Sequence, residues 1–206
     1  KQYSQWGEDK LIAEYFKEKQ DGKYLDIGCF NPFMYSNTCL LYKKGWNGIN
    51  IDINPTSIDL FNIARPKDIN LCTTINETKK IFKIYLDHPF SPVNTLNEKF
   101  YEKQKVNFFD DKKILTVESK SIDEVLNLSH DKKKIDFINI DVEGNDYQVL
   151  SQIKLEELRP KLISIETHYP DGSESENSTL IHKFLNKNNF TIHKRIGPTT
   201  LFTHTD

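Results

Sequence analysis

Compact apolar runs alternate with amphipathic stretches along this chain, and that rhythm predicts strands alternating with helices. Tyr24–Ile27, Gly48–Ile53, Ile69–Ile75, Ile135–Val142 and Leu162–Ile165 read as buried strands, apolar on both faces as parallel strands are. Between them, Gln5–Lys19 carries Leu11, Ile12, Tyr15 and Phe16 on one helical face. Asn37–Lys44 suits a second helix. Pro55 opens a third, where its missing N–H does no harm, continued by Ile58, Leu60, Phe61 and Ile63. Tyr147, Val149, Leu150 and Ile153 mark another, and Thr179–Lys187 the last. Right-handed β-α-β crossovers then give an α/β fold with a doubly wound, mostly parallel, Rossmann-like sheet. Phe190–His193 and Leu201–Thr203 flank Gly197-Pro198 and predict a closing hairpin, so the C-terminal strand is expected to run antiparallel.

The rhythm breaks between about residues 77 and 118. Lys80–Leu86 alternates apolar and polar as a half-exposed strand, His88–Asn97 is a Pro/Ser/Asn loop, and Phe100–Lys112 is polar and aromatic. Ile114–Glu118 returns to strand, followed by the capping-box sequence Ser121-Ile122-Asp123-Glu124. A chain of 206 residues is one domain by length, so 1–206 reads as a single domain with an insertion at 77–118 on the side of the acceptor substrate. The net charge of −2 offers no field for a nucleic-acid partner. Cys29, Cys39 and Cys72 have no metal-like spacing and read as small buried hydrophobes, which fits a reducing, cytoplasmic setting. No apolar run is long enough for a membrane span, and no signal-peptide pattern opens the chain.

The informative chemistry lies at the strand ends, where open α/β sheets hold their ligands. Asp26 closes the first strand in Asp26-Ile27-Gly28, and Asp52 closes the second in Asp52-Ile53-Asn54-Pro55. Asp52 is placed to accept hydrogen bonds from a ribose diol. The loop after Asp26 holds a single glycine, so it lacks the G-x-G-x-x-G fingerprint that brings backbone against a pyrophosphate, and no G-x-x-x-x-G-K-[ST] loop exists. Two acids without a phosphate loop point to S-adenosylmethionine rather than NAD. Asp141 and Glu143 follow the fourth strand, Glu166 and His168 the fifth. Of these, His168 is the natural general base because its unperturbed pKa is ~6.5, with Asp141 placed to orient it or a substrate hydroxyl. The same Asp, Glu and His set would alternatively hold a divalent metal ion. The blander reading makes Gln5, Glu8 and Asp9 caps of the first helix, Ser36-Asn37-Thr38 an N-cap, and Trp46 and Tyr147 core.

Several of these strings together resemble one family. Ser4-Gln5-Trp6-Gly7-Glu8-Asp9, Asp26-Ile27-Gly28-Cys29-Phe30-Asn31-Pro32, Ser36-Asn37-Thr38, Lys43-Lys44-Gly45-Trp46-Asn47-Gly48, Asp52-Ile53-Asn54-Pro55, Asp136–Gly144 and Arg159–Glu166 look, in this order, like the FkbM family of S-adenosylmethionine-dependent methyltransferases. The resemblance implies the class I methyltransferase architecture. It implies O-methylation of a small-molecule hydroxyl, here expected on a sugar or nucleotide sugar in surface-polysaccharide biosynthesis. Carried onto this chain, Asp26, Gly28 and the Asn31 loop would lie beside the methionine part of the cofactor. Gln5, Ser36 and Asn37 would bond its carboxylate or amine, Asp52 its ribose and Asn54 the adenine edge. Two other readings stay open: a catalytically inactive binding domain of the same fold, and a nucleotide-sugar transferase, for which Asp52-Ile53-Asn54 is the nearest imitation of a D-x-D motif.

Overall fold

The computed structural model describes residues 1–85, 89, 91, 94, 96, 98, 114–129 and 134–205. The elements, in chain order, are α1 (Glu8–Tyr15), β1 (Lys23–Ile27), α2 (Cys39–Lys43), β2 (Asn47–Asp52), α3 (Pro55–Ala64), β3 (Ile69–Cys72), β4 (Thr74–Ile75), β5 (Ile81–Tyr85), β6 (Ile114–Lys120), α4 (Ile122–Leu126), β7 (Phe137–Ile140), α5 (Asp146–Leu150), α6 (Leu155–Leu158), β8 (Leu162–Glu166), α7 (Ser178–Lys187), β9 (Phe190–Ile196) and β10 (Thr199–His204). Among the described residues these build a mixed α/β protein around a seven-stranded sheet of order β3-β2-β1-β7-β8-β10-β9. The pairs β2–β3, β1–β2, β1–β7 and β7–β8 are parallel. The expected closing hairpin forms, and β10 runs antiparallel to both β8 and β9.

Strand alternation sorts the core into two layers. Leu25, Ile27, Ile138, Ile140, Ile163 and Ile165 enter one buried cluster with Val149, Leu150 and Ile181, from α5 and α7. Tyr24, Phe137 and Leu162, of the opposite parity, join Ile12, Phe16, Leu41 and Trp46 in the other. In register across the sheet runs a polar row, Asn70–Asn50–Asp26–Asn139–Ser164. Polar groups are costly at such depth unless bonded, and Asn50 Nδ2 donates to Asn70 Oδ1 (2.8 Å) and Asn139 Nδ2 to Asp26 Oδ1 (2.9 Å).

Several element boundaries differ from expectation. The first helix is shorter than Gln5–Lys19 because Asp9 holds the segment ahead of it in a hook: Ser4 Oγ donates to Asp9 Oδ1 (2.6 Å) and Tyr3 N–H to Oδ2 (2.8 Å). The third strand breaks at Thr73, whose Oγ1 donates to the Glu118 carbonyl at 2.6 Å. Past that point Thr74–Ile75 pairs with β6, and β4-β6-β5 form a small second sheet. The helix expected through Ile153 ends at Leu150, and α6 follows, closed by Arg159 at φ 45 just before Pro160. The Ser121–Glu124 capping box forms. Cys29 and Cys39 are buried, but Cys72 is exposed at the end of β3, next to where the chain leaves the main sheet. No helix among the described residues is long and apolar enough to cross a membrane. The aromatic stretch Phe100–Lys112 lies outside the described residues.

A candidate active-site cavity at the strand ends

The loop leaving β1 folds back across β2. Gly28 N–H and Cys29 N–H both donate to the Ile51 carbonyl, at 2.8 and 3.1 Å, while Asp141 N–H donates to the Ile27 carbonyl at 2.9 Å. This squeezes Gly28 between neighbours. It sits at φ +84, and a Cβ there would lie 1.7 Å from the Asp141 carbonyl oxygen, so only glycine fits.

Beyond this crossing lies a cavity of about 300 Å³, walled by the ends of β1, β2, β7 and β8 and by the Thr73–Asn76 segment. Asp52 stands on its wall with both oxygens fixed: Oδ2 accepts from Phe30 N–H (2.8 Å) and Oδ1 from Asn54 N–H (2.7 Å). Burial pushes its carboxyl up to about 6, against the two N–H groups that favour the charge. Each oxygen keeps capacity for a further donor.

Asp141, Glu143 and Glu166 reach the same cavity from β7 and β8. Asp146 shapes their loop by accepting from Val142 N–H (3.1 Å) and Gly144 N–H (3.2 Å), around a reversal in which Glu143 has φ 51. Burial raises all three carboxyls, and each feels further acids: Glu166 beside Asp141, Asp141 beside Glu143, Glu143 beside Glu166. Glu143 and Glu166 are both carried to about 8. No lysine, arginine or histidine is among the described residues lining the cavity.

The residues singled out from sequence therefore divide. Gln5, Gly28, Asp52, Asn54, Asp141, Glu143 and Glu166 line the cavity. Asn54 is also the N-cap of α3, its Oδ1 accepting from Thr56 N–H and its Nδ2 donating to the Pro89 carbonyl. Asp26, Asn31, Ser36 and Asn37 are not among the lining residues: Asp26, Ser36 and Asn37 are held by bonds within the protein behind the wall, and Asn31 caps the exposed turn after Phe30. Asp26 is 1% exposed and accepts from Thr38 Oγ1 (2.6 Å) and Asn139 Nδ2. Asn37 Nδ2 donates to Asn139 Oδ1 (2.9 Å), and Asn31 Oδ1 accepts from Phe33 and Met34 N–H. Ser36 Oγ accepts from Arg65 Nη2 at 2.9 Å.

His168 is likewise not brought to the cavity. Its Nδ1 bonds Thr167 Oγ1 (2.8 Å), the charged groups acting on it are Arg195, Glu174 and His182, and it is not among the residues lining the cavity. The described residues contain no group of three or more His, Cys, Asp or Glu side chains arranged to hold a metal ion.

Arg65 escaped the sequence reading. It is fully buried, donates to Thr38 Oγ1 (2.8 Å), Ser36 Oγ and the Pro32 carbonyl, and lies over the Tyr42 and Phe61 rings, so it pins the loop from Phe30 to Thr38. Its only sequence signal was an arginine ending an apolar helix, which a solvent-facing residue would also show. Asn139 was hidden in the same way, as one polar letter within a buried strand.

A family model described as Methyltransferase FkbM domain matches residues 26–192 of this chain. No curated protein and no solved structure gives a match.

Proposed function

Because this chain belongs to the FkbM methyltransferase family, we propose that it is an S-adenosylmethionine-dependent O-methyltransferase acting on a hydroxyl of a sugar or nucleotide sugar. The charge of the cavity carries this reading. Four carboxylates and no basic side chain line it among the described residues, which suits a cationic sulfonium ligand and opposes a polyphosphate. The same lining disfavours the nucleotide-sugar transferase alternative. The strand order, with one antiparallel strand set between β8 and β9, supports the doubly wound class I methyltransferase architecture. The chain is read as one domain, with β5 and most of β6 inside the insertion at about 77–118 and β4 just ahead of it.

S-adenosylmethionine, when bound, supplies an electrophilic methyl group on a positively charged sulfur. Asp52 would hold the ribose diol, each oxygen accepting one hydroxyl beside the backbone N–H it already has. Asp141, Glu143 and Glu166 would face the sulfonium and balance its charge. Glu166 would take the acceptor's proton once a bound sulfonium favours its ionised form, and burial with its acidic neighbours raises its carboxyl, making it a stronger base than an ordinary carboxylate. This moves the base from His168, the residue favoured by sequence, to a carboxylate on the cavity wall. Asp26, Asn37 and Asn139 would act from behind the wall by holding the β1 loop.

Calorimetric titration with S-adenosylmethionine, followed by mass spectrometry of sugar acceptors for the gain of one methyl group, tests the proposal. Asp52→Ala removes two charge-assisted bonds of ~1.5–3 kcal/mol each and should weaken cofactor binding by roughly two to four orders of magnitude. Unchanged affinity in that variant would remove Asp52 from the site, and methylation of an amine instead of a hydroxyl would overturn the acceptor class.

A further inference from the structure

Two bulky residues on the cavity wall hold a backbone conformation that side chains rarely adopt. Phe30 has φ 50 and Tyr35 φ 55, in the left-handed region that normally belongs to glycine. Both line the cavity, and their rings lie nearly parallel, with centroids 6.0 Å apart and planes 19° from each other. Core packing does not account for the strain: neither ring joins a buried cluster, and Tyr35 stays 47% exposed. Strained backbone persists only where its surroundings over-determine it, and it gathers at ligand clamps. The surroundings do so here. Phe30 N–H is held by Asp52 Oδ2 (2.8 Å), and Asn31 Oδ1 closes the turn to Phe33 and Met34. Arg65 grips the Pro32 carbonyl and Ser36 Oγ, and Ser36 N–H donates to the Tyr3 carbonyl at 3.2 Å.

The bond from Ser36 to Tyr3 joins this loop to the N-terminal hook, which adds the exposed Gln5 to the same cavity wall. Glu8, which opens α1 directly after the hook, lies near enough for its charge to act on both Asp141 and Glu166. The rings therefore stand toward the carboxylates assigned to methyl transfer, on a side of the cavity that solvent reaches. A second molecule entering beside a bound cofactor meets them there. It must offer a hydroxyl to Glu166 and a flat apolar face to an aromatic ring. A pyranose does both, with C–H groups on its face and hydroxyls around its edge, whereas an open-chain alcohol has no face to stack.

We propose that Phe30 and Tyr35 form the acceptor's stacking platform: the C–H face of the sugar ring lies on the Tyr35 ring, which Phe30 braces. This rests on the reading of the cavity as the site of a sugar O-methyltransferase, and it adds the residues that hold the acceptor, which that reading does not contain. Tyr35 is a binding residue here and has no part in the proton transfer assigned to Glu166.

The test compares the full chain with Tyr35→Gly and Tyr35→Phe in two measurements. One is calorimetric titration with S-adenosylhomocysteine, and the other is methyl transfer to the methyl pyranosides of glucose, galactose, mannose and rhamnose. Glycine holds φ 55 without strain, so Tyr35→Gly removes the ring while sparing the fold. It should leave S-adenosylhomocysteine affinity and kcat little changed and raise KM for the methylated pyranoside roughly tenfold, the order expected when one aromatic face leaves a contact. Tyr35→Phe keeps the ring and should stay close to wild type in every readout. An unchanged KM in Tyr35→Gly would overturn the proposal. So would a matching loss of S-adenosylhomocysteine affinity, which would give the rings to the cofactor, or an equal rise of KM in Tyr35→Phe, which would put the hydroxyl in place of the stack. A wild type that binds S-adenosylhomocysteine and methylates none of the pyranosides would overturn it while leaving the cofactor reading intact. If the folded wild type does not bind S-adenosylhomocysteine, the cofactor reading itself fails, and this inference falls with it.

Discussion

The acidic wall of the cavity should make the ligand-free protein less stable as the pH rises, and Glu166 offers the cleanest measure. In the unfolded chain its carboxyl ionises near the ordinary 4.5, whereas in the folded state burial and the neighbouring Glu143, Asp146 and Glu8 carry it to about 8. Below 4.5 both states hold the proton, and nothing is lost. Between 4.5 and 8 the unfolded state ionises while the folded state does not, so the folded state's advantage drains away as pH rises and is gone above 8. The full shift corresponds to ~4–5 kcal/mol for an isolated group, and water entering the cavity brings this down to on the order of 2–3 kcal/mol. Replacing the carboxyl by a neutral amide of the same shape removes the term. Glu166→Gln should thus be on the order of 2–3 kcal/mol more stable than wild type at pH 8.5, a rise of roughly 4–12 °C in Tm for a chain of this size. At pH 4.5 the two proteins should be nearly equal. Urea unfolding of both at pH 4.5, 6.5 and 8.5 provides the comparison, with the difference between proteins cancelling titration elsewhere. A gap that does not widen with pH, or a variant less stable than wild type at pH 8.5, would refute the placement of Glu166 among buried acids.

Two further outcomes follow from the packing around the site. Gly28→Ala forces a Cβ to within 1.7 Å of the Asp141 carbonyl at φ +84; the left-handed conformation alone costs roughly 1–2 kcal/mol, and the β1–β7 crossing must also part, so a clear fall in Tm is expected and an unchanged Tm would contradict the crossing. Arg65→Met keeps the apolar stem over Phe61 but drops the bonds to Thr38, Ser36 and Pro32, so hydrogen exchange across residues 30–38 should quicken at least tenfold, as expected from losing more than ~1.4 kcal/mol of local stability; unaltered protection would show that the loop stands without the guanidinium.

Local pattern was enough for much of this protein. The strands of the main sheet and the closing hairpin announced themselves because burial on a pleated sheet or a helix face imposes a short period on neighbouring residues. Asp52 and Gly28 could be singled out for a related reason, since both sit where a strand ends and the chain must turn. Asp141, Glu143 and Glu166 could be named as strand-end acids, but not the fact that they share one cavity and raise one another. Tertiary structure alone decided the roles of Asp26, Ser36 and Asn37, which stand behind the wall because partners distant in sequence, Asn139 and Arg65, take up their hydrogen bonds. It also set His168 apart from the cavity, since a position after a strand does not say toward which neighbours the side chain turns. The break of the third strand at Thr73 belongs to the same class. Periodicity reports how a residue meets its near neighbours in the chain, whereas a hydrogen-bond partner far away in sequence leaves no local trace.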